Sequence, residues 1–195
     1  MITSTEELRL SLKKIGIGLR EDRLEKIVVF LEMVKRWSRK TTIVSKRIDY
    51  RKLFGLTFDS LVVIPEMYGD SVADLGSGGG FPGIPLSITL PDKRFTLVEI
   101  VRKKCIFLEY VTSLLELENV EVACRSWSEL EKKFDTIVSM GTGLERISNV
   151  AGRLLLPGGR LIYITSRGGK CYKRVKNPFI STTTCLIVSH ETVRR

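Results

Sequence analysis

Apolar positions in the first 66 residues recur at the spacing of helices rather than strands. Ser4 and Asp22 are each followed three residues later by glutamate, the pattern of a capping box that opens a helix. A third apolar helix is predicted over residues 52–66. We therefore predict an N-terminal helical extension over residues 1–66. The stripe that follows the second capping box is formed by Leu24, Ile27, Val28, Leu31 and Val34.

From residue 67 onward, short buried strands alternate with helices. Alternation of this kind implies a parallel sheet with right-handed crossovers. The turn Pro157-Gly158-Gly159 is predicted to lead into the fifth strand, and the β-forming residues 182–188 are predicted to add a closing edge strand. We expect residues 67–195 to form an α/β core on which the extension packs. The strands are predicted at residues 71–75, 95–98, 120–124, 135–139 and 161–165, and the helices at 82–90, 103–117 and 144–155.

Composition narrows the class of protein. Hydrophobic residues make up 43% of the chain, which favours a continuous core. The sequence has neither a membrane-length apolar run nor the basic-then-apolar order of a signal peptide. With His190 as its one histidine and no Cys-x-x-Cys pair, it predicts no metal site. We expect a cytoplasmic protein whose four cysteines are reduced. They are Cys105, Cys124, Cys171 and Cys185.

Charge is distributed unevenly along the chain. The net charge is +7 over residues 1–52, −5 over residues 53–152 and +8 over residues 153–195, for a total of +10. Basic flanks around an acidic middle indicate a polyanionic partner held by the two ends of the chain. Solvated surface lysines are the alternative interpretation of the same charges.

A glycine cluster, Gly76-Ser77-Gly78-Gly79-Gly80, follows the first predicted strand, where open α/β sheets bind their ligands. The dinucleotide pattern fails in this register because Phe81 occupies its last glycine position. Asp74 would repel a pyrophosphate but complement the sulfonium and ammonium of S-adenosylmethionine, directly or through water. Glu99, at the end of the second strand, can accept hydrogen bonds from both ribose hydroxyls. We predict an S-adenosylmethionine site, with a ligand-free turn or a nicotinamide or flavin site as alternatives.

Continued through Leu86, the loop reads Asp-Leu-Gly-Ser-Gly-Gly-Gly-Phe-Pro-Gly-Ile-Pro-Leu and resembles the signature of the GidB family. These are bacterial methyltransferases that modify a guanine N7 in small-subunit (16S) ribosomal RNA. The resemblance covers roughly residues 25–168. It implies a three-layer α/β fold of the Rossmann-like class I methyltransferase type, with a seven-stranded, mostly parallel sheet. Further matching segments include Asp59-Ser60-Leu61, Leu97-Val98-Glu99, Lys103-Lys104, Phe134-Asp135 and Leu156-Pro157-Gly158-Gly159.

The resemblance also implies roles for particular residues. Gly76 and Phe81 would contact the cofactor, and Ser126 and Trp127 would flank its adenine. Four positions depart from the family: Leu56 replaces a histidine, Trp127 a glutamate and Met140 an arginine near the site, and the lysine of a Lys-Gly pair after the fifth strand is at best Arg167. The full set predicted to bind S-adenosylmethionine is Asp74, Gly76, Gly78, Phe81, Glu99, Ser126, Trp127 and Met140.

Guanine N7 carries a free lone pair and no proton at neutral pH, so its methylation needs no general base. We therefore assign no catalytic acid or base, and expect positioning and desolvation to supply the rate. The expected activity is methylation of guanine N7 in small-subunit ribosomal RNA. Two alternatives are a methyltransferase with a small-molecule or protein substrate, and a non-enzymatic RNA-binding module derived from a methyltransferase.

Clusters of cations are predicted to neutralise RNA phosphates. An exposed Trp37 could stack on a splayed base, although an aromatic on an apolar helix face is more often a core residue. We expect the partner to be small-subunit ribosomal RNA or the ribosomal subunit, bound by a monomer without membrane or metal. The clusters are Arg36, Arg39 and Lys40; Arg102, Lys103 and Lys104; and Arg167, Lys170, Lys173 and Arg174.

Overall fold

The computed structural model describes residues 2–45, 47–166 and 171–190. Three α-helices precede the first strand, and α-helices and strands then alternate up to the fifth strand, except that a 3-10 turn joins β3 to β4. The elements are α1 (Ile2–Lys14), α2 (Glu21–Ser38), α3 (Tyr50–Leu61), β1 (Ser71–Leu75), α4 (Gly83–Thr89), β2 (Arg94–Glu99), α5 (Arg102–Leu114), β3 (Val120–Cys124), β4 (Phe134–Met140), α6 (Leu144–Leu154), β5 (Leu155–Thr165), β6 (Lys173–Lys176) and β7 (Thr183–His190).

The seven strands form one sheet in the order β3-β2-β1-β4-β5-β7-β6. Strands β1 to β5 are parallel, whereas β7 is antiparallel to both β5 and β6. This confirms the predicted seven-stranded, mostly parallel sheet. The carboxyl ends of the parallel strands lie at one edge of the sheet, which we call the carboxyl edge.

Helices cover both faces of the sheet and give the predicted three layers. On one face, residues of α1 to α5 share a core with sheet residues such as Val72, Leu97 and Ile162. On the other face, Ile147, Ala151 and Leu154 of α6 pack over the strands. The N-terminal helices thus belong to the same core as the sheet, while a boundary at residue 66 stays a prediction.

The end of the chain departs from the prediction of a closing edge strand. Strand β7 lies between β5 and β6, so the edge is formed by β6, whose charged sequence Lys-Arg-Val-Lys gave no strand signal. Ile164 of β5 and Lys173 of β6 both pair with Leu186. Strand β6 therefore begins level with the end of β5, and the β6–β7 hairpin extends beyond the carboxyl edge. The predicted turn at residues 157–159 is instead part of β5, next to an irregularity in its pairing with β4.

Two predicted helix starts are also wrong. Helix α1 begins at Ile2, before Ser4, and α2 begins after Arg20, with Asp22 in its first turn. The Arg20 guanidinium donates to the Asp22 carboxylate at 3.0 Å, so that carboxylate binds a side chain instead of capping the helix. Within the described ranges, no helix combines the length and apolar character needed to cross a bilayer.

The cysteines form two disulfides, so the prediction that they are reduced is wrong. Cys105 of α5 is joined to Cys124 of β3, and Cys171 is joined to Cys185 of β7. The Cα atoms of each pair are 5.7 Å and 5.5 Å apart, within the range that a disulfide spans. Partners 19 and 14 residues apart form no recognisable motif, because the fold and not the spacing brings them together.

Candidate functional site

The glycine loop after β1 approaches the carboxyl edge with backbone rather than side chains. Gly76 has a φ of +81°, and a Cβ there would lie 2.8 Å from Cγ2 of Thr142. The amides of Gly76 and Ser77 donate to the carbonyl of Val98 at 2.9 and 3.1 Å. These bonds fix the loop against β2, so that its backbone can line a ligand site.

Glu99 is held in place by backbone amides. Its Oε2 accepts from the amide of Gly78, and its Oε1 from those of Ile100 and Val101, each at 2.9 Å. Lys104 Nζ lies 3.8 Å from Oε2. A carboxylate offers about four acceptor sites, so about one is left for a ligand. A second ligand hydroxyl would have to share or replace one of these amides.

A cavity of about 350 Å³ opens between the glycine loop and the ends of β2, β3 and β4. This volume lies within the usual range for small-molecule sites. Four of the eight residues predicted to bind the cofactor meet here: Gly76, Glu99, Ser126 and Trp127. The remaining lining residues, which the sequence did not assign to a cofactor, are Val98, Ile100, Lys104, Arg125, Thr142 and Arg146.

Asp74 lies beneath the glycine loop and does not line the cavity. The side chain is fully buried, and Oδ2 accepts from the amide of Gly83 at 3.0 Å. Oδ1 has no hydrogen-bond partner among the described residues. Burial raises the pKa of Asp74 to about 7. The carboxyl group thus anchors the start of α4, and a direct contact with the cofactor's charges would require the loop to move.

Gly83 is packed too closely for any side chain, so Gly83→Ala is expected to destabilise the fold. A Cβ there would lie 2.3 Å from Cδ2 of Leu97 and 2.6 Å from Oδ2 of Asp74. Overpacking of this kind costs about 1–3 kcal/mol, which urea unfolding would measure. The control is Gly152→Ala in α6, where a Cβ meets nothing within 4 Å and the helix should gain about 0.5–1 kcal/mol. Equal stability of the Gly83 variant and the wild type would contradict this packing.

Three other predicted cofactor residues lie away from the cavity lining. Phe81 is buried, with its ring centroid 5.0 Å from that of Phe30 in the core. Gly78 acts through the amide that it donates to Glu99. Met140, where the family pattern has arginine, packs against the hydrophobic core. Phe81 and Met140 therefore belong to the hydrophobic core and do not line the cavity.

The wall predicted to hold adenine is a short 3-10 turn over Trp127–Glu129. Ser126 caps the turn by accepting from the amide of Ser128 at 3.3 Å. Arg153 of α6 donates to the carbonyls of Trp127 at 2.8 Å and Ser128 at 3.2 Å. Arg153 could not be predicted from the sequence, because it holds the wall through backbone carbonyls. Every residue has a carbonyl, so such contacts have no sequence signature.

The loop after β4 closes another side of the cavity. Ser139 Oγ donates to the carbonyl of Leu75 at 2.8 Å and is hydrogen-bonded to Oγ1 of Thr142. The Tyr163 hydroxyl donates to the carbonyl of Thr142. The loop is therefore tied to both β1 and β5. Thr142 and Arg146 were missed because a Gly-Thr-Gly loop and a surface arginine have no distinctive signature.

The residues predicted to bind RNA do not form one surface but lie at different places in the structure. Arg36 and Lys40 line a second cavity of about 350 Å³ together with Trp37, Thr41 and Tyr110. The Trp37 ring centroid lies 5.6 Å from that of Tyr110, and Arg39 is exposed nearby in the chain. Of the second cluster, Arg102 and Lys103 are exposed, whereas Lys104 faces Glu99 in the cofactor cavity. Of the third, Lys173 and Arg174 lie on β6, while Arg167 and Lys170 fall outside the described residues.

Strand order reverses between β1 and β4, and open α/β sheets bind their ligands at such a reversal. The cavity beside Gly76 and Glu99 lies there. Together with β7 inserted antiparallel between β5 and β6, this defines the class of S-adenosylmethionine-dependent methyltransferases with a Rossmann-like fold. The model of one family in this class, GidB (rRNA small subunit methyltransferase G), matches residues 23–176. The chain belongs to this family, which confirms the resemblance found in its sequence.

Individual relatives agree with this assignment. A protein of Laribacter hongkongensis named ribosomal RNA small subunit methyltransferase G is 34% identical, over 79% of this chain and 76% of the relative. A protein of the same name from Chlorobium phaeobacteroides is 33% identical, over 89% of this chain and 80% of the relative. A solved SAM-dependent O-methyltransferase from Thermotoga maritima shares the fold, with a TM-score of 0.57 at 13% identity over 85% of this chain and 72% of that one.

Proposed function

We propose that the chain transfers a methyl group from S-adenosylmethionine to N7 of a guanosine in small-subunit ribosomal RNA. One observation carries this proposal: a cavity formed by Gly76 and Glu99, in a chain that belongs to the rRNA small subunit methyltransferase G family. The relatives from Laribacter and Chlorobium bear the name of that activity. The net charge of +10 suits a polyanionic substrate.

The residues of the cavity fit the cofactor. Glu99 keeps about one acceptor site for a ribose hydroxyl, while its three amide bonds fix the direction of that site. Trp127 offers an aromatic face where adenine is expected, beside the backbone of Gly76. When bound, S-adenosylmethionine supplies a methyl group on a positively charged sulfur. Oδ1 of Asp74, which has no hydrogen-bond partner in the described ranges, adds negative potential under the loop once Asp74 ionises.

The chemistry asks little of the protein beyond positioning. Guanine N7 attacks with its own lone pair, so no proton has to be removed. Glu99, the carboxylate that lines the described part of the cavity, accepts hydrogen bonds from backbone amides, and its remaining acceptor site is the one proposed for the ribose, so we assign it no role as a base. We infer that the loop after β4, which contains Thr142, helps to place the guanine in line with the methyl group and to exclude water.

The RNA contacts that the structure supports best lie beside the second cavity. Trp37 and Tyr110 could stack on an unpaired base, while Arg36 and Lys40 neutralise its neighbouring phosphates. Arg102 and Lys103 extend this basic surface toward the start of α5. We propose that the chain acts as a monomer, in the cytoplasm where ribosomal subunits are assembled.

The substrate class is tested by following labelled methyl transfer. The protein is incubated with methyl-labelled S-adenosylmethionine and, separately, with small subunits, their extracted RNA, large-subunit RNA and ribosomal proteins from cells lacking this protein. We expect label in the small-subunit RNA alone. Label in ribosomal protein, or in none of these fractions although the cofactor binds, would support a methyltransferase with another substrate. Binding of RNA without binding of the cofactor would support a non-enzymatic RNA-binding module.

A further inference from the structure

A cleft distinct from the cofactor cavity opens where α3 begins, against the turn between β6 and β7. Its volume is about 780 Å³. Strand β6 runs in the same direction as β5, because both are antiparallel to β7. The turn after Lys176 therefore lies at the carboxyl edge, the same edge of the sheet as the cofactor loop. The extension of the hairpin beyond β5 makes this turn one wall of the cleft.

The wall is rigid because buried groups tie the turn to α3. Asn177 is buried, and its Nδ2 donates to the carbonyl of Gly55 at 2.9 Å and to the carboxylate of Asp59 at 2.6 Å. Its Oδ1 accepts from the amide of Phe179 at 2.9 Å. The Phe179 ring stacks on that of Phe54 with centroids 5.8 Å apart. A cleft fixed in this way needs little ordering when a ligand binds.

Cations predominate around the cleft. Arg51, Lys52 and Lys176 line it, and all three side chains are exposed. Arg51 donates to the carbonyl of Pro178 at 3.1 Å and lies 3.8 Å from Glu7, which leaves most of its N–H groups available. The carboxylate in the lining, Asp49, is engaged as the cap of α3 and accepts from the amide of Lys52 at 2.8 Å. The cleft therefore suits a ligand with several separated negative charges.

The position of the cleft indicates a polymer. In the sheet, β6 is four strands from β1, so at about 4.8 Å per strand the cleft lies roughly 20 Å from the cofactor loop. A strand of duplex DNA advances about 3.4 Å along its axis for each nucleotide, and at a similar rise an RNA strand spans that distance in roughly six nucleotides. A single nucleotide bound at the cofactor site could not reach the cleft, but a ribosomal RNA segment could occupy both.

We propose that this cleft binds the sugar-phosphate backbone of the RNA substrate, several nucleotides from the guanosine that is methylated. The inference rests on the proposed function, because it takes RNA to be the substrate. Arg51, Lys52 and Lys176 neutralise successive phosphates, and the anchored turn sets their spacing. Contacts in the cleft increase the affinity for RNA and help to fix which nucleotide lies beside the cofactor. They do not involve the reacting atoms.

The test replaces the three cations by glutamine in one variant, Arg51→Gln/Lys52→Gln/Lys176→Gln. The matched control, Arg94→Gln/Lys132→Gln/Lys133→Gln, removes the same charges beside the starts of β2 and β4, at the opposite edge of the sheet. RNA binding is measured over a range of salt concentrations, separately from turnover. At about 0.7 per phosphate contact, the cleft variant should lower the salt exponent by about 2 and weaken RNA binding at least about 10-fold.

Other readouts distinguish a binding role from damage to the fold. We expect the cleft variant to keep the melting temperature and S-adenosylmethionine affinity of the control, and its kcat at saturating RNA, with the loss confined to KM for RNA. Equal salt exponents in the cleft and control variants would overturn the cleft proposal, even if the wild type methylates RNA. Absence of methyl transfer by the wild type would instead count against the proposed function, since RNA binding is measured without turnover.

Discussion

Replacing Glu99 by glutamine is expected to weaken binding of S-adenosylmethionine by about 100-fold. The carboxylate accepts hydrogen bonds from three backbone amides and faces the cavity with its remaining acceptor site. Glutamine has one acceptor oxygen, and its NH₂ group would meet amide donors. Hydrogen bonds to a charged group contribute about 1.5–3 kcal/mol each, and 1.4 kcal/mol corresponds to a tenfold change in affinity. Isothermal titration calorimetry would measure the loss.

The matched control is Glu121→Gln. Glu121 lies on β3, the strand paired with β2, and its side chain is 68% exposed, near Lys132 at 3.9 Å. We expect the affinity of the Glu121→Gln variant for the cofactor to stay within about twofold of the wild type, because surface ion pairs contribute little to stability. Wild-type affinity in the Glu99 variant, with an unchanged melting temperature, would show that Glu99 does not hold the ribose.

The contribution of Asp74 to the stability of the fold is expected to fall as the pH rises from about 4 to about 7, and Asp74→Asn should remove that contribution. Burial raises the pKa of Asp74 to about 7, above its ordinary value of about 3.9. In this window the folded chain retains a proton that the unfolded chain has released, so rising pH favours unfolding. At about 1.4 kcal/mol for each pKa unit, the contribution of Asp74 is at most about 4 kcal/mol.

Urea unfolding of the wild type and the Asp74 variant between pH 4.5 and 7.5 would measure this contribution. Asparagine retains an oxygen to accept the amide of Gly83 and does not titrate. Some pH dependence should persist in the variant, because burial also raises the pKa of Asp59. Parallel stability curves for the two proteins would contradict the assignment of the pH dependence to Asp74.

The core strands could be predicted from the sequence, because buried parallel strands appear as continuous apolar runs. The predicted bounds of β1 and β3 match the structure. Strand β6 could not be predicted, since Lys173 to Lys176 has no alternation and is a strand through its pairing with β7. Placing the tail at the edge of the sheet failed for a related reason. The order of β5, β7 and β6 depends on tertiary pairing and not on local pattern.

Part of the candidate site was also accessible from the sequence. The glycine loop and Glu99 follow consecutive strands, so a parallel sheet places them together. Lys104 is predicted to bind RNA as one of three cations at a helix start, where they oppose the helix dipole, yet its ammonium lies 3.8 Å from the Glu99 carboxylate. Asp74 was expected near the cofactor, but it is fully buried beneath the loop. The types and order of the residues were enough to predict where the candidate site lies. The direction in which each side chain points depends on the folded structure.

The product of the proposed reaction is 7-methylguanosine in small-subunit RNA. The most direct measurement is mass spectrometry of nucleosides digested from small subunits, taken from cells lacking this protein and incubated with it and labelled S-adenosylmethionine. We predict labelled 7-methylguanosine with the wild type, little with the Glu99→Gln variant at low cofactor concentration, and none without protein. Label in a different nucleoside, or no label despite tight cofactor binding, would rule out methylation of guanine N7 in small-subunit RNA.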